Sequence, residues 1–122
     1  MNTQEVADKL VQLCRQGKNL EVINELYADN IVSHEPKGSH MELTEGKAAV
    51  LDKNNQWYAM VEEIHNDSVS DPLVSGDFFA CAMYLDVTYK GMGRSEMNEI
   101  AVYEVKDGKI VSERFHYNVP TA

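Results

Sequence analysis

The sequence predicts an α+β fold in which helices come first and a curved antiparallel sheet follows, wrapped around a long helix. Three observations predict it. Apolar residues recur at helical spacing as far as about Ile64. Beyond that point they alternate with polar residues, as on a half-buried strand. Turn sequences then divide the second half at Ser75-Gly76-Asp77, Gly91-Met92-Gly93 and Asp107-Gly108. Helices gathered on one side of a bent sheet form a cone, and the cavity at its open end is a default ligand site.

Each element has its own justification. In "NTQEVADKLVQLCRQG", Asn2 followed by Glu5 is a capping box, and Val6, Leu10 and Leu13 form one face that Gly17 ends. "NLEVINELYADN" is a second, short helix with Leu20, Ile23, Leu26 and Tyr27 on its buried side. The two make a helical hairpin. "NIVSHEP" is a short strand that Pro36 stops, and "KGSHMELTEG" a loop. "GKAAVLDKNNQWYAMVEEI" is the longest helix, with Val50, Trp57, Val61 and Ile64 on one stripe and Asn54 on or beside it. "HNDSVSDPLVSGD" carries Pro72 and suits a sheet edge. In "FFACAMYLDVTYK", Phe79, Cys81, Met83, Leu85, Val87 and Tyr89 share a face opposite Asp86, Thr88 and Lys90. "RSEMNEIAVYEVK" and "IVSERFHYNV" are the last strands, joined by a hairpin in which Asp107-Gly108 supply positive φ angles.

At 122 residues the chain makes one domain, residues 1–122, large enough to bury a core without staples. Its net charge of −9 argues against nucleic acid and anionic membrane as partners. Cys14 and Cys81 lack metal-ligand spacing and read as free thiols of a reducing compartment. The polar start "MNTQEVADKL" is not a signal peptide, and no apolar run approaches the ~20 residues of a membrane span. The expected location is the cytoplasm. His34, His40, His65 and His116 show no metal spacing, so neither metal nor cofactor is expected.

Chemistry is sought among polar side chains on inward, apolar faces. Alternation puts Ile31, Ser33 and Glu35 on one face of the first strand and Val32 and His34 on the other. His34 and Glu35 are therefore neighbours in sequence and not partners. On the last strand Val111, Glu113, Phe115 and Tyr117 share the aromatic face. On the strand before it, each face carries a polar residue, and periodicity leaves the choice open. A carboxyl in an apolar cavity has its pKa raised, which suits acid/base work. Glu35, Glu99 and Glu113 are the acids to watch; otherwise each is a solvated strand residue or a partner of Arg94 or Arg114. Trp57 and Tyr58 are core residues or ligand contacts. Tyr27 and Tyr103 carry the hydroxyls placed to reach a cavity.

"NELYADNIV", the helix start "GKAAV" and the closing "AVYEVKDGKIVSERFHY" resemble the nuclear transport factor 2-like superfamily, in particular its SnoaL-like domains, relatives of polyketide cyclases and ketosteroid isomerases. The resemblance spans nearly the whole chain. It implies a cystatin-like, cone-shaped α+β barrel and a homodimer packed through the sheet face. It turns Glu99, Ala101 and Tyr103 inward, with Glu113, Phe115 and Tyr117. Ketosteroid isomerases carry their general base immediately before a proline at the end of this strand, where Glu35 stands. Their two oxyanion donors correspond here to Leu10 and Ala101, so steroid isomerase activity is not expected. What is expected is a small apolar molecule in the cavity and cofactor-independent isomerase or cyclase chemistry on a carbonyl compound. Glu35, Glu99 and Glu113 would be catalytic, and Tyr27, Asn54, Trp57, Tyr58, Met83, Tyr103, Phe115 and Tyr117 would contact substrate. The alternatives are a non-catalytic binding or dimerisation module, or an assembly scaffold.

Overall fold

Helix α1 (Thr3–Arg15) starts under the predicted capping box. Asn2 Oδ1 accepts from the Glu5 amide at 2.8 Å, and Glu5 Oε1 accepts from the Asn2 amide at 3.0 Å. Its other end is a Schellman motif: with Gly17 at φ 72°, the Lys18 amide donates to Leu13 and the Gly17 amide to Cys14. Replacing Asn2 by alanine should cost about 1 kcal/mol, read as a lower urea midpoint at unchanged slope. The computed structural model describes residues 1–119.

Helix α2 (Asn19–Leu26) runs straight into strand β1 (Tyr27–His34). Tyr27, expected on the helix, is the first residue of the strand and pairs with Ile110. The predicted loop after Pro36 contains a short strand, β2 (Leu43–Glu45), which pairs antiparallel with β1. Helix α3 (Lys47–Met60) ends earlier than predicted. Val61 and Ile64 instead open strand β3 (Val61–Val69), opposite Tyr89 and Val87. Both are β-branched, and pairing with a long neighbour overrides the helical spacing that placed them on the stripe.

The remaining strands are β4 (Leu73–Ser75), β5 (Phe78–Tyr89), β6 (Gly93–Lys106) and β7 (Lys109–His116). The sheet runs β2-β1-β7-β6-β5-β3, with β4 pairing beside β5. The β1–β7 pair is parallel, so the sheet is mixed and not wholly antiparallel. It does not close into a barrel, since β2 and β3 stand at its two ends. Asp107 and Gly108, at φ 51° and 76°, make the β6–β7 turn as expected.

The core lies between α1, α2 and the concave face of the sheet. Val6, Leu10, Leu13, Ile23 and Leu26 meet Phe79, Tyr103, Val105 and Ile110. The Phe79 and Tyr103 rings stack with centroids 4.7 Å apart. Of the α3 residues only Val50 is fully buried, so one side of that helix remains to wall a cavity. No helix among the described residues is long and apolar enough to cross a membrane.

Candidate active site

A cavity of about 390 Å³ lies between α3 and the sheet. Alternation along β6 turns Glu99, Ala101, Tyr103 and Val105 to the concave side, and along β7 it turns Glu113 and Phe115 the same way. Glu35 follows the last residue of β1, its amide bonded to the Glu42 carbonyl at 2.9 Å, which carries the strand's alternation one residue further. Glu35, Glu99 and Glu113 thus line one cavity, with Tyr27, Asn54, Trp57, Met83, Tyr103, Phe115 and Tyr117. Tyr58 does not line it; its ring packs edge-on against Trp57 at 5.1 Å. His34 lies outside the lining, as strand alternation requires.

A larger depression of about 750 Å³ crosses the strands nearby, but it is open to solvent, and Glu99 is the only one of the three acids that borders it. The smaller cavity, where the three acids meet, is the place where charge is taken out of water.

Each acid has a different setting. Glu113 is 2% exposed and accepts a short hydrogen bond from the Tyr27 hydroxyl. Burial raises its pKa, against the pull of hydrogen bonds from Tyr27 and Ser33 and the charge of Lys53. Glu35 accepts from the Tyr117 hydroxyl at 3.1 Å, while its other oxygen, Oε2, is buried with no hydrogen-bond partner among the described residues. Burial raises Glu35 too, opposed by Lys53 and Tyr117. Glu99 is pushed up to about 7, first by burial and then by the charges of Glu35 and Glu113. It therefore carries a proton for part of the time near neutrality, whereas Glu35 keeps an ammonium neighbour. Burial raises the tyrosines as well, Tyr27 and Tyr103 well above their ordinary range and Tyr117 to about 12, so all three stay hydroxyl donors. Arg94 does not reach these acids. It grips Asp86 with two bonds of 2.9 and 2.7 Å and holds that carboxyl low. Burial sends the Cys14 thiol to about 12 and Cys81 to about 11, which makes both poor nucleophiles.

Lys53, Ser33 and Tyr89 are among the residues that the sequence reading did not assign to the site. Lys53 Nζ lies 3.8 Å from Glu35 Oε2 and donates to Ser33 Oγ at 3.2 Å. Its position, three after Val50 and four before Trp57, is on the same α3 stripe, but a lysine there reads as a solvated edge. Ser33 is fully buried on the face it shares with Ile31 and Glu35. The Tyr89 hydroxyl accepts from Trp57 Nε1 at 3.1 Å and fixes the indole against the cavity wall. Asn54, expected as a donor, spends its side-chain amide on the Val50 carbonyl of its own helix at 3.0 Å. Removing Lys53 should push Glu99 above its value near 7, because Lys53 is the charge that opposes the rise. Carboxyl carbon NMR titration of wild type and Lys53→Met measures this, and an unchanged or lower Glu99 value would contradict it.

An open α+β cone holding three carboxyls and an ammonium inside an apolar cavity defines a class of small proteins built around an internal site. The chain belongs to the SnoaL-like domain family, which matches residues 1–117. It is 39% identical to a SnoaL-like protein from Mesorhizobium loti provisionally called a polyketide cyclase, over 96% of this chain and 100% of that one, with a TM-score of 0.91. A protein from Bacillus subtilis provisionally called an isomerase is 25% identical over 97% and 90% of the two chains, with a TM-score of 0.74. A protein of cystatin-like fold from Xanthomonas campestris, 19% identical over 98% and 92%, has a TM-score of 0.79 and shares the fold. No curated protein matches the chain.

Proposed function

We propose that the protein is a cofactor-independent isomerase or cyclase acting on a small apolar carbonyl compound. The observation that carries this reading is the unlike setting of the acids in one cavity. Glu35 presents an oxygen with no hydrogen-bond partner among the described residues and faces an ammonium, while Glu99 is pushed up to about 7. Carboxyls whose surroundings push them apart take opposite acid/base roles. Glu35 would remove a proton next to the carbonyl and give it back, and Glu99, protonated part of the time, would hold a hydrogen bond to the substrate. Glu113, bound by Tyr27, would anchor that tyrosine in the floor of the site. Met83, Phe115 and Trp57 supply apolar wall for the rest of the substrate. The relatives provisionally called cyclase and isomerase support the same class of chemistry.

The test uses small ketones and β-keto esters in deuterated water, with loss of the α-proton followed by proton NMR. Catalysed exchange by wild type is expected. Tight binding of these compounds with no exchange would instead identify a binding module. A homodimer through the outer sheet face is proposed with it, since Phe78 and Ile100 are about half exposed there. Sedimentation showing only monomer at high concentration would end that part.

A further inference from the structure

The chemistry just proposed makes negative charge on the carbonyl oxygen, and that charge needs a partner. Leu10 and Ala101, buried in the same part of the core, have no polar side-chain atom to meet it. Lys53 stands in the same cavity, and among the described residues its ammonium makes one hydrogen bond. An ammonium has three N–H bonds to give. One goes to Ser33 Oγ at 3.2 Å. The contact with Glu35 Oε2 is 3.8 Å, too long for a hydrogen bond. The Nζ lies 5.7 Å from the centre of the Phe115 ring, which orients the cation without using an N–H bond. The Lys53 side chain is 17% exposed and that of Glu35 15%, so both heads are largely out of water.

The two heads are also suitably spaced. Lys53 Nζ and Glu35 Oε2 stand side by side at 3.8 Å, so a substrate lying across them can set its carbonyl oxygen on the donor and the hydrogen of its neighbouring carbon at the base. We propose that Lys53 is the electrophile of this site: its ammonium binds the substrate's carbonyl oxygen and holds the charge that gathers there. The assignment rests on the reading of Glu35 as the base. Glu35 Oε2 bonds to the α-hydrogen, the C–H electron pair becomes a C=C bond, and the carbonyl π pair moves onto oxygen to give an enolate against Lys53. For an isomerisation, the substrate carries a second C=C beside the α-carbon; the enolate is then a dienolate, and the Glu35 carboxylic acid returns the proton to the γ-carbon as the C=C shifts to the α,β position and the carbonyl re-forms. For a cyclisation, the enolate carbon bonds to a second carbonyl carbon, whose oxygen becomes an alkoxide and takes the proton from Glu35. In either case the carboxylate is regenerated and no oxidant or reductant is consumed. Between side chains so largely out of water such a contact is worth more than in solvent.

The probe is 4-nitrophenol, whose phenolate oxygen imitates an enolate and whose ionisation is visible by absorbance. Wild type is expected to bind the phenolate in preference to the phenol. Lys53→Met should weaken phenolate binding by about tenfold or more and abolish the preference, because a hydrogen bond to a charged group is lost. Lys53→Arg keeps a cation and should restore binding to within a few-fold. Lys53→Gln, with the same expectation as the methionine variant, covers the case in which that variant fails to fold. Glu35→Gln removes the carboxylate that competes for Lys53, so it should keep or strengthen phenolate binding while losing α-proton exchange. Equal phenolate binding with and without the lysine, or no phenolate binding by wild type, overturns the proposal. Should Glu35→Gln retain exchange while Lys53→Met loses phenolate binding, the base assignment falls and the anion site stands.

Discussion

Replacing Glu35 by glutamine should lower kcat/KM for α-proton exchange by about 10²- to 10⁴-fold, the usual contribution of a positioned general base. Glutamine has nearly the same shape but cannot accept the proton. Its side-chain oxygen can still take the hydrogen bond that Tyr117 donates to Glu35, so circular dichroism and the urea midpoint should change little. The same variant makes a second prediction that simple misfolding does not. The Glu35 charge is one of the causes that hold Glu99 near 7. Without it the Glu99 carboxyl should titrate lower, and carbon NMR reads that shift directly. Full exchange activity in the Glu35→Gln protein would remove Glu35 from the mechanism.

The stability of the protein should fall between about pH 4.5 and 7, and Glu99 should be a principal cause. Its carboxyl binds a proton more tightly folded than at its ordinary value of 4.5, being pushed up to about 7. Protonation therefore favours the folded state. The contribution is present in full below the unfolded value, is lost as pH rises through the window, and is gone above the folded value. A rise of that size corresponds to at most about 3 kcal/mol. Burial also raises Glu35 and Glu113, which adds to the loss in the same direction. Glu99→Gln cannot ionise, so its urea midpoint should be flatter from pH 5 to 7.5 than that of wild type. Equal pH slopes for the two proteins would show that Glu99 is not ionising in a buried setting. The two experiments are complementary, since one tests the carboxylate that must be charged and the other the one that resists charge.

Much of the fold is legible in the chain because it is local. Asn2 and Glu5 cap α1 with groups three residues apart, and Gly17 ends it by a conformation that glycine favours. Asp107-Gly108 turn the last hairpin by the same kind of freedom. Alternation along β5 and β7 faces Phe79, Cys81, Glu113 and Phe115 inward because successive side chains on a strand must point to opposite sides. His34 and Glu35 are separated by that rule alone. Where the reading differed from the structure, a distant partner had decided. Tyr27 leaves its helix to pair with Ile110. Val61 and Ile64 leave α3 to pair with β5. A segment without apolar alternation becomes β2 because β1 offers it an edge.

The site divides in the same way. The sequence by itself determined the class of fold, the inward face of the last strand, and Glu35 as an acid held at a strand end before Pro36. Only the tertiary structure decided that Glu35, Glu99 and Glu113 share a cavity, that Tyr27 secures Glu113, and that Arg94 belongs to Asp86. It alone placed Lys53 beside Glu35. The physical reason is range. Capping, turn conformation and strand alternation act within a few residues, so their causes can be read along the chain. Burial, charge coupling and hydrogen bonds between separate elements depend on groups that become neighbours only when the sheet curves over α1 and α3, and those interactions set which carboxyl holds a proton.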